Sequence, residues 1–241
     1  ENVKDNFMSF IKPMIFIIPA CFLLLLQPDF GSTVIILSVT AGLFFLAGFK
    51  MRYFILLVLL LLSAFALLIY IAPYRMARLA YFLEPWNDPL GKGYQLTNSL
   101  IAIGSGGLFG LGLGESVQKL FYLPEAHTDF IFAILAEELG FIGVVFFVTA
   151  FSILVFRSVR IAMQAPDLFR VFLATGITAM LAIPMLFNLA VVTGLVPTKG
   201  LPLPFMSSGG SNMLMALVCV GVLLRIHLET QDGRDMSGES A

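Results

Sequence analysis

From Tyr53 to Ala72 the chain carries no charged side chain. A run of about 20 apolar residues is the length an α-helix needs to cross the hydrocarbon of a bilayer. Within hydrocarbon every backbone N–H and C=O must be satisfied inside the segment, so such a run resolves as a helix. Five other runs share this character: Pro13–Leu26, interrupted by Pro19, then Thr33–Phe49, Phe130–Phe156, Val171–Thr193 and Met213–Leu224, the last with a start near Phe205. The first and the last are short for a span. The expectation is an all-α, polytopic membrane helix bundle of about six transmembrane helices.

Composition agrees. The chain is 59% hydrophobic and 12% charged, whereas soluble domains run at roughly 45–50% apolar and about 25% charged. Twenty-four Phe and eleven Met suit a lipid-embedded bundle. A net charge of −1 gives no electrostatic footprint for nucleic acid. Cys21 and Cys219 lie inside apolar runs and read as small hydrophobes, not as a disulfide or metal framework. The chain opens on the polar stretch Glu1-Asn-Val-Lys-Asp-Asn6, with neither an initiator Met nor a cleavable signal pattern. It therefore reads as a piece whose natural beginning is missing.

Positive charge gives the orientation. Lys4, Lys12, Lys50, Arg52, Arg157, Arg160, Arg170, Arg225 and Arg234 all fall on one side if six spans alternate, and that side is the cytoplasm. Both ends of the chain, including a tail at 228–241, are then cytoplasmic. The other face carries Gln27-Pro-Asp-Phe-Gly31, a long extracytoplasmic loop at 73–129, and residues 194–210. Arg75, Arg78, Lys92, Lys119 and Lys199 lie there. Within a single membrane domain at 1–241, the long loop holds the only Trp, Trp86, and then a Gly- and Leu-rich stretch at Ile101–Gly114. That stretch reads as a re-entrant or interfacial helix.

The chemistry-bearing residues gather on this outer face. In Tyr122-Leu-Pro-Glu-Ala-His-Thr-Asp-Phe130, Pro124 blocks any helix from running in. Thr128 is placed as an N-cap, with Asp129 in the first turn of the next helix. A carboxylate on a helix N-terminus at the membrane surface is a candidate base for a lipid-borne substrate. From the residues alone it reads first as a first-turn acid that complements the helix dipole. His127 has no partner at metal spacing. Glu137 and Glu138 are costly inside a span unless they meet protein, water or a cation. They read as a structural pair with a cation or as further catalytic acids, Glu137 lying about 12 Å deeper than Asp129 on a regular helix. Asp29 is a turn residue or a substrate contact, and Trp86 an interfacial anchor by default. Ser207-Ser-Gly-Gly210 is a flexible turn or a backbone cradle for an anion, and Lys199 a snorkelling cation or a phosphate ligand. Together these residues support a multi-pass membrane protein with an outward-facing polar site, either an enzyme acting on an anionic lipid head group or its transporter.

Several strings resemble the SEDS family (shape, elongation, division, sporulation). They are Gln27-Pro-Asp-Phe-Gly31, Pro85-Trp-Asn-Asp-Pro-Leu-Gly-Lys-Gly-Tyr-Gln-Leu96, Ser116-Val-Gln-Lys119, Tyr122-Leu-Pro-Glu-Ala-His-Thr-Asp-Phe-Ile-Phe132, and Pro197-Thr-Lys-Gly200 with Ser207–Ser211. The resemblance covers nearly the whole chain in the same order. It matches the C-terminal six spans of the family's bundle and points to the cell-division branch over the elongation branch. It implies a peptidoglycan glycosyltransferase that polymerises lipid II at the outer face of the bacterial cytoplasmic membrane, at the division septum. Asp129 is then the general base. Substrate-binding candidates are Lys199, Lys119, Arg75, Arg78, Trp86, Asp29, His127, Glu125, Ser207, Gly209 and Gly210, with Glu137 and Glu138 supporting. The resemblance fixes no cofactor and leaves room for a divalent cation, Mg or Mn. It implies as partners undecaprenyl-pyrophosphate-linked glycan, a class B penicillin-binding protein transpeptidase, and other division-complex membrane proteins. A lipid II flippase and a non-catalytic division scaffold are the rival readings.

Overall fold

The computed structural model describes residues 7–27, 29–50, 52, 55, 58, 59, 63 and 82–236. Most of the span expected at Tyr53–Ala72, with Arg75 and Arg78 after it, lies outside the described residues. The chain divides into two compact units, residues 1–77 and 78–241. Every described element is helical, and among the described residues there is no strand.

In the first unit, α1 (Phe7–Leu26) and α2 (Phe30–Leu46) pack together. Pro13 and Pro19 both lie inside α1, as membrane helices tolerate. Asp29 starts α2 as its N-cap: its carboxylate accepts from the Ser32 N–H at 3.3 Å and from the Ser32 hydroxyl at 2.6 Å. A side-chain oxygen at this position satisfies amides that have no partner within the helix.

The second unit begins with a 3-10 turn at Pro85–Asn87 that packs against α3 (Tyr94–Gly106). A short α4 (Gln118–Phe121) follows, then three long helices: α5 (Ile131–Gln164), α6 (Leu168–Val192) and α7 (Gly210–Met236). Each of these three is long and apolar enough to cross a membrane; Ile11–Leu26 and Gly31–Leu46 are shorter apolar helices. Successive helices run antiparallel, so the start of α5, the end of α6 and the start of α7 share one end of the unit. The α5–α6 turn, with Arg157, Arg160 and Arg170, lies at the other. There Arg170 bonds both Asp167, the N-cap of α6, and Glu229 of α7, at 3.1 and 2.6 Å. The core between the long helices is aliphatic and aromatic, from Phe132 and Phe151 of α5 through Ile177, Leu181 and Met185 of α6 to Leu223 and Ile226 of α7.

The helix expected at Ile101–Gly114 starts earlier and stops at Gly106; its second half is a glycine loop instead. That loop opens α5. At Gly140 the backbone turns to φ 66, ψ −168 and the helix breaks. The carbonyls of Glu137 and Glu138 accept from the N–H groups of Leu111 and Gly112, both at 3.0 Å. In return the N–H groups of Phe141 and Ile142 donate to the carbonyls of Gly107 and Leu108, at 2.9 and 3.2 Å. Four groups that a straight helix would pair with each other are thus satisfied by the loop. The exchange demands backbone-to-backbone contact, and a Cβ on either Gly110 or Gly140 would overlap the main chain of the other strand. Beyond the break, residues 141–164 rise about 36 Å, enough to span a bilayer.

Gly140→Ala therefore places a side chain in a backbone region that is essentially glycine-only, worth about 1–3 kcal/mol, with overlap against Leu108 added. Gly104→Ala, inside α3 with open space around it, gains helix propensity of about 1 kcal/mol. Thermal unfolding in detergent, followed by size-exclusion chromatography, should show a lower midpoint for the first variant and an equal or higher one for the second.

Candidate active site

Residues 124–130 form a compact turn before α5, and Glu125 is its pivot. Glu125 takes φ 56, unusual for a side chain with a Cβ. Its carbonyl accepts three successive amides, those of Thr128, Asp129 and Phe130, at 3.1, 3.1 and 3.3 Å. The first residue to flank the helix is Phe130, without a side-chain cap. The expectation that Thr128 caps α5 fails. The helix begins at Ile131, which leaves Thr128 two residues before the cap position, and its hydroxyl donates back to the Glu125 carboxylate at 2.7 Å. Asp129 consequently precedes the helix and does not share a regular helical face with Glu137.

The turn is fastened from outside at three consecutive carbonyls. His127 O accepts from the Ser208 N–H at 2.8 Å. Thr128 O accepts from the Ser207 hydroxyl. Asp129 O accepts from the Asn188 side-chain amide at 2.7 Å. Ser207 and Ser208 belong to the 195–209 loop, and Asn188 to the last turns of α6. The loop is anchored by buried Leu201 and Leu203, 2% and 0% exposed. Ser207 also accepts from the Leu203 N–H at 2.6 Å. The anion cradle expected at Ser207–Gly210 is therefore half spent: the amides of Ser207 and Ser208 are committed to the carbonyls of Leu203 and His127. Gly209 and Gly210 are exposed at the start of α7, Gly209 O accepting the Met213 N–H at 3.1 Å.

These ties bring the 197–201 strand against Asp129. A Cβ on Gly200 would overlap the Asp129 carboxylate and push it from this position. Lys199 is close enough to stabilise the ionised carboxylate. Burial and the nearby Glu125 charge act the other way and prevail, holding the Asp129 carboxyl above the ordinary carboxylate range. The His127 side chain is exposed. One place thus gathers Glu125, Asp129, Lys199, Ser207 and the His127 carbonyl.

Other expected site residues have surroundings of their own. Glu137, 1% exposed, accepts from the Ser116 hydroxyl and from the Val117 N–H at 3.2 Å. Lys119, expected as a phosphate ligand, is ion-paired with Glu138, which draws its ammonium to the broken part of α5. Trp86 is exposed in the 3-10 turn. Asp29 caps α2 in the other unit. Among the described residues no group of three or more His, Cys, Asp or Glu gathers for a metal ion; Asp129 and Glu125 are the two carboxylates at the turn. Gly200 and Asn188 were not among the residues expected from sequence. A lone Asn in an apolar span is a signal in its own right, since intramembrane polar groups are costly and functional by default.

A family model described as cell cycle protein, for FtsW, RodA and SpoVE, matches residues 1–232. The chain belongs to this family. It is 52% identical over 231 residues to a probable peptidoglycan glycosyltransferase FtsW of Thioalkalivibrio sulfidiphilus, covering 95% of this chain and 58% of the relative. It is 46% identical over 226 residues to stage V sporulation protein E of Bacillus subtilis, covering 94% of this chain and 62% of that protein. The chain thus spans about three-fifths of the length of these relatives. Among solved structures it resembles a chain of a peptidoglycan synthase complex that coordinates polymerization and crosslinking, with TM-score 0.73 and 29% identity, over 93% of this chain and 63% of that one. It also resembles the rod shape determining protein RodA of Thermus thermophilus, with TM-score 0.61 and 29% identity, over 94% of this chain and 58% of that one. The apolar helices and the family together make it a multi-pass membrane protein.

The charges around Asp129 give its titration a predictable response in this family member. Glu125→Gln removes a like charge and lowers the Asp129 pKa; Lys199→Met removes a favourable charge and raises it further. Infrared difference spectra across a pH series, read at the protonated-carboxyl stretch that Asp129→Asn abolishes, should move to lower pH in the first variant and to higher pH in the second.

Proposed function

We propose that the protein polymerises lipid II into glycan strands at the outer face of the bacterial cytoplasmic membrane, as part of the division machinery, with Asp129 as general base. One observation carries this reading: the Asp129 carboxylate is fastened through its own backbone beside Lys199, with its proton affinity raised above that of an ordinary carboxylate. A base works best when its pKa approaches the operating pH. In the reaction, the 4-hydroxyl of the acceptor sugar attacks the anomeric carbon of the donor. The new C–O bond forms as the bond to pyrophosphate breaks, with inversion, and the hydroxyl proton passes to Asp129. Undecaprenyl pyrophosphate leaves with the bonding pair. Lys199 supplies positive charge where that anion develops. Arg75 and Arg78 remain candidates for the same task, whereas Lys119 is engaged by Glu138.

Two features support the orientation and the enzyme reading. The arginines at the α5–α6 turn lie at the end opposite Asp129, which supports an outward-facing site by the positive-inside rule. The acids within α5, Glu137 and Glu138, are bonded to the Ser116–Lys119 segment, leaving them poorly suited to a polar path across the membrane. The partner is a class B penicillin-binding protein, in keeping with the likeness to a chain of a peptidoglycan synthase complex.

The test is glycan formation from purified lipid II by the protein with its transpeptidase partner. Asp129→Asn should lower the rate by about 10²–10⁴, the usual contribution of general base catalysis. Its thermal midpoint at pH 7 should match or exceed that of the wild type. A carboxyl whose pKa is raised by folding stabilises the fold only while protonated, and that contribution is lost as pH rises through the folded pKa. Retained polymerisation by the variant would move the base elsewhere.

A further inference from the structure

Buried polar side chains in the long helices mostly satisfy themselves. The hydroxyls of Ser158, Thr178 and Thr230 each donate to the carbonyl four residues earlier in their own helix, at 2.8, 2.7 and 2.7 Å. Such residues cost the membrane little and act on nothing else. Asn188 behaves differently. It is 1% exposed, and its amide nitrogen donates outside α6 twice: to Asp129 O at 2.7 Å and to Leu201 O at 2.8 Å. Both acceptors are carbonyls, so the amide has one workable orientation; flipped, its oxygen would face two oxygens. In the orientation found, Oδ1 is buried without a protein partner. An amide that leaves its own acceptor unpaired while using both hydrogens on two other segments is poorly explained as filler.

The two acceptors matter. Asp129 is the base of the proposed reaction. Leu201 directly follows Gly200, which lies against the Asp129 carboxylate, and Lys199, which faces it. Asn188 is therefore the brace between the turn that carries the carboxylate and the strand that packs on it. Ser207 and Ser208 hold the neighbouring carbonyls of the turn, but from the far end of the 195–209 loop. Asn188 holds both sides from one position on α6.

We propose that Asn188 is a positioning residue for Asp129: its side-chain amide fixes the separation between the Asp129 carboxylate and the Lys199–Leu201 strand. This inference rests on the reading of Asp129 as the base. Without the brace the turn and strand part, the carboxylate gains water, and the lysine moves off. Burial is the largest influence on the Asp129 proton, so its relief outweighs the loss of Lys199 and the carboxyl becomes more acidic.

The test compares Asn188→Ala, Asn188→Asp and Thr178→Ala with the wild type, each assayed with the transpeptidase partner on purified lipid II across a pH series. Asn188→Ala should lose 10- to 100-fold in kcat, about what a shift of 1 Å in a catalytic group costs, with KM within about twofold. Its acid limb should move to lower pH. Asn188→Asp keeps the size but sets oxygens against two carbonyls, and should lose at least as much. Thr178→Ala, a buried change on the same helix, should leave the limb unmoved. An unchanged kcat in Asn188→Ala would overturn the proposal, as would a loss without a shift of the limb. Failure of both Asn188 variants to fold would also overturn it, leaving the residue a purely structural role. Asp129→Asn is run in parallel. Activity in that variant removes the base itself, whereas an inactive Asp129→Asn beside an unaffected Asn188→Ala removes only the brace.

Discussion

Asp129 sits where a helix begins yet belongs to no helix, so nothing in regular secondary structure fixes it. Its position depends on three hydrogen bonds that arrive from two other segments and end on the successive carbonyls of His127, Thr128 and Asp129. Each such bond contributes only about 1 kcal/mol net in an ordinary setting. Their number and direction matter more than their energy. They act on the backbone, leaving the carboxylate itself free for chemistry, and they enter from α6 and from the loop before α7. The start of one helix is thereby locked to the end of the second and the approach to the third.

The break at Gly140 is a second constraint of the same kind. A membrane helix cannot open unless its freed backbone groups find partners, because hydrocarbon offers none. Here the loop after α3 supplies four, in reciprocal pairs. The same loop leads into the Ser116–Lys119 segment that takes up Glu137 and Glu138. Two carboxylates that would be prohibitive in an apolar span are thus placed at the one part of α5 where protein, not lipid, surrounds the backbone. The cluster braces α5 and stands apart from the site at its start.

Much of this was legible in sequence. Apolar length gave the long helices, and the Tyr122–Phe130 string, with its proline and its three polar residues before an apolar run, gave the turn. The helix ends were less legible. The spans expected at Phe130–Phe156 and Met213–Leu224 belong to helices that run to Gln164 and Met236, because charged residues that end an apolar run do not end hydrogen bonding. Thr128 satisfied the statistics of an N-cap and is none, since the turn on the left-handed Glu125 takes up the amides through Phe130 and delays the helix to Ile131. Lys119 read as a free cation because its partner is 19 residues away across a break that no local pattern announces. Asn188 belongs to none of the family strings and Gly200 only ends one; their importance comes from what lies opposite them in space.

The site also has a thermodynamic signature. Burying a carboxylate beside another acid, with one lysine in partial compensation, leaves its ionised form less stable than it would be in water. A fold selected for stability alone would have placed a neutral residue there, or a second cation. Keeping the acid poorly compensated raises its affinity for a proton, which a base requires, and the cost falls on the folded state at neutral pH. The surrounding ties bear that cost: a strained, desolvated group persists only where its neighbours over-determine it. The fastened carbonyls, the glycine against the carboxylate and the buried leucines beneath the loop form such a surround. The fastening of this corner and the raised proton affinity of its acid are two consequences of one arrangement.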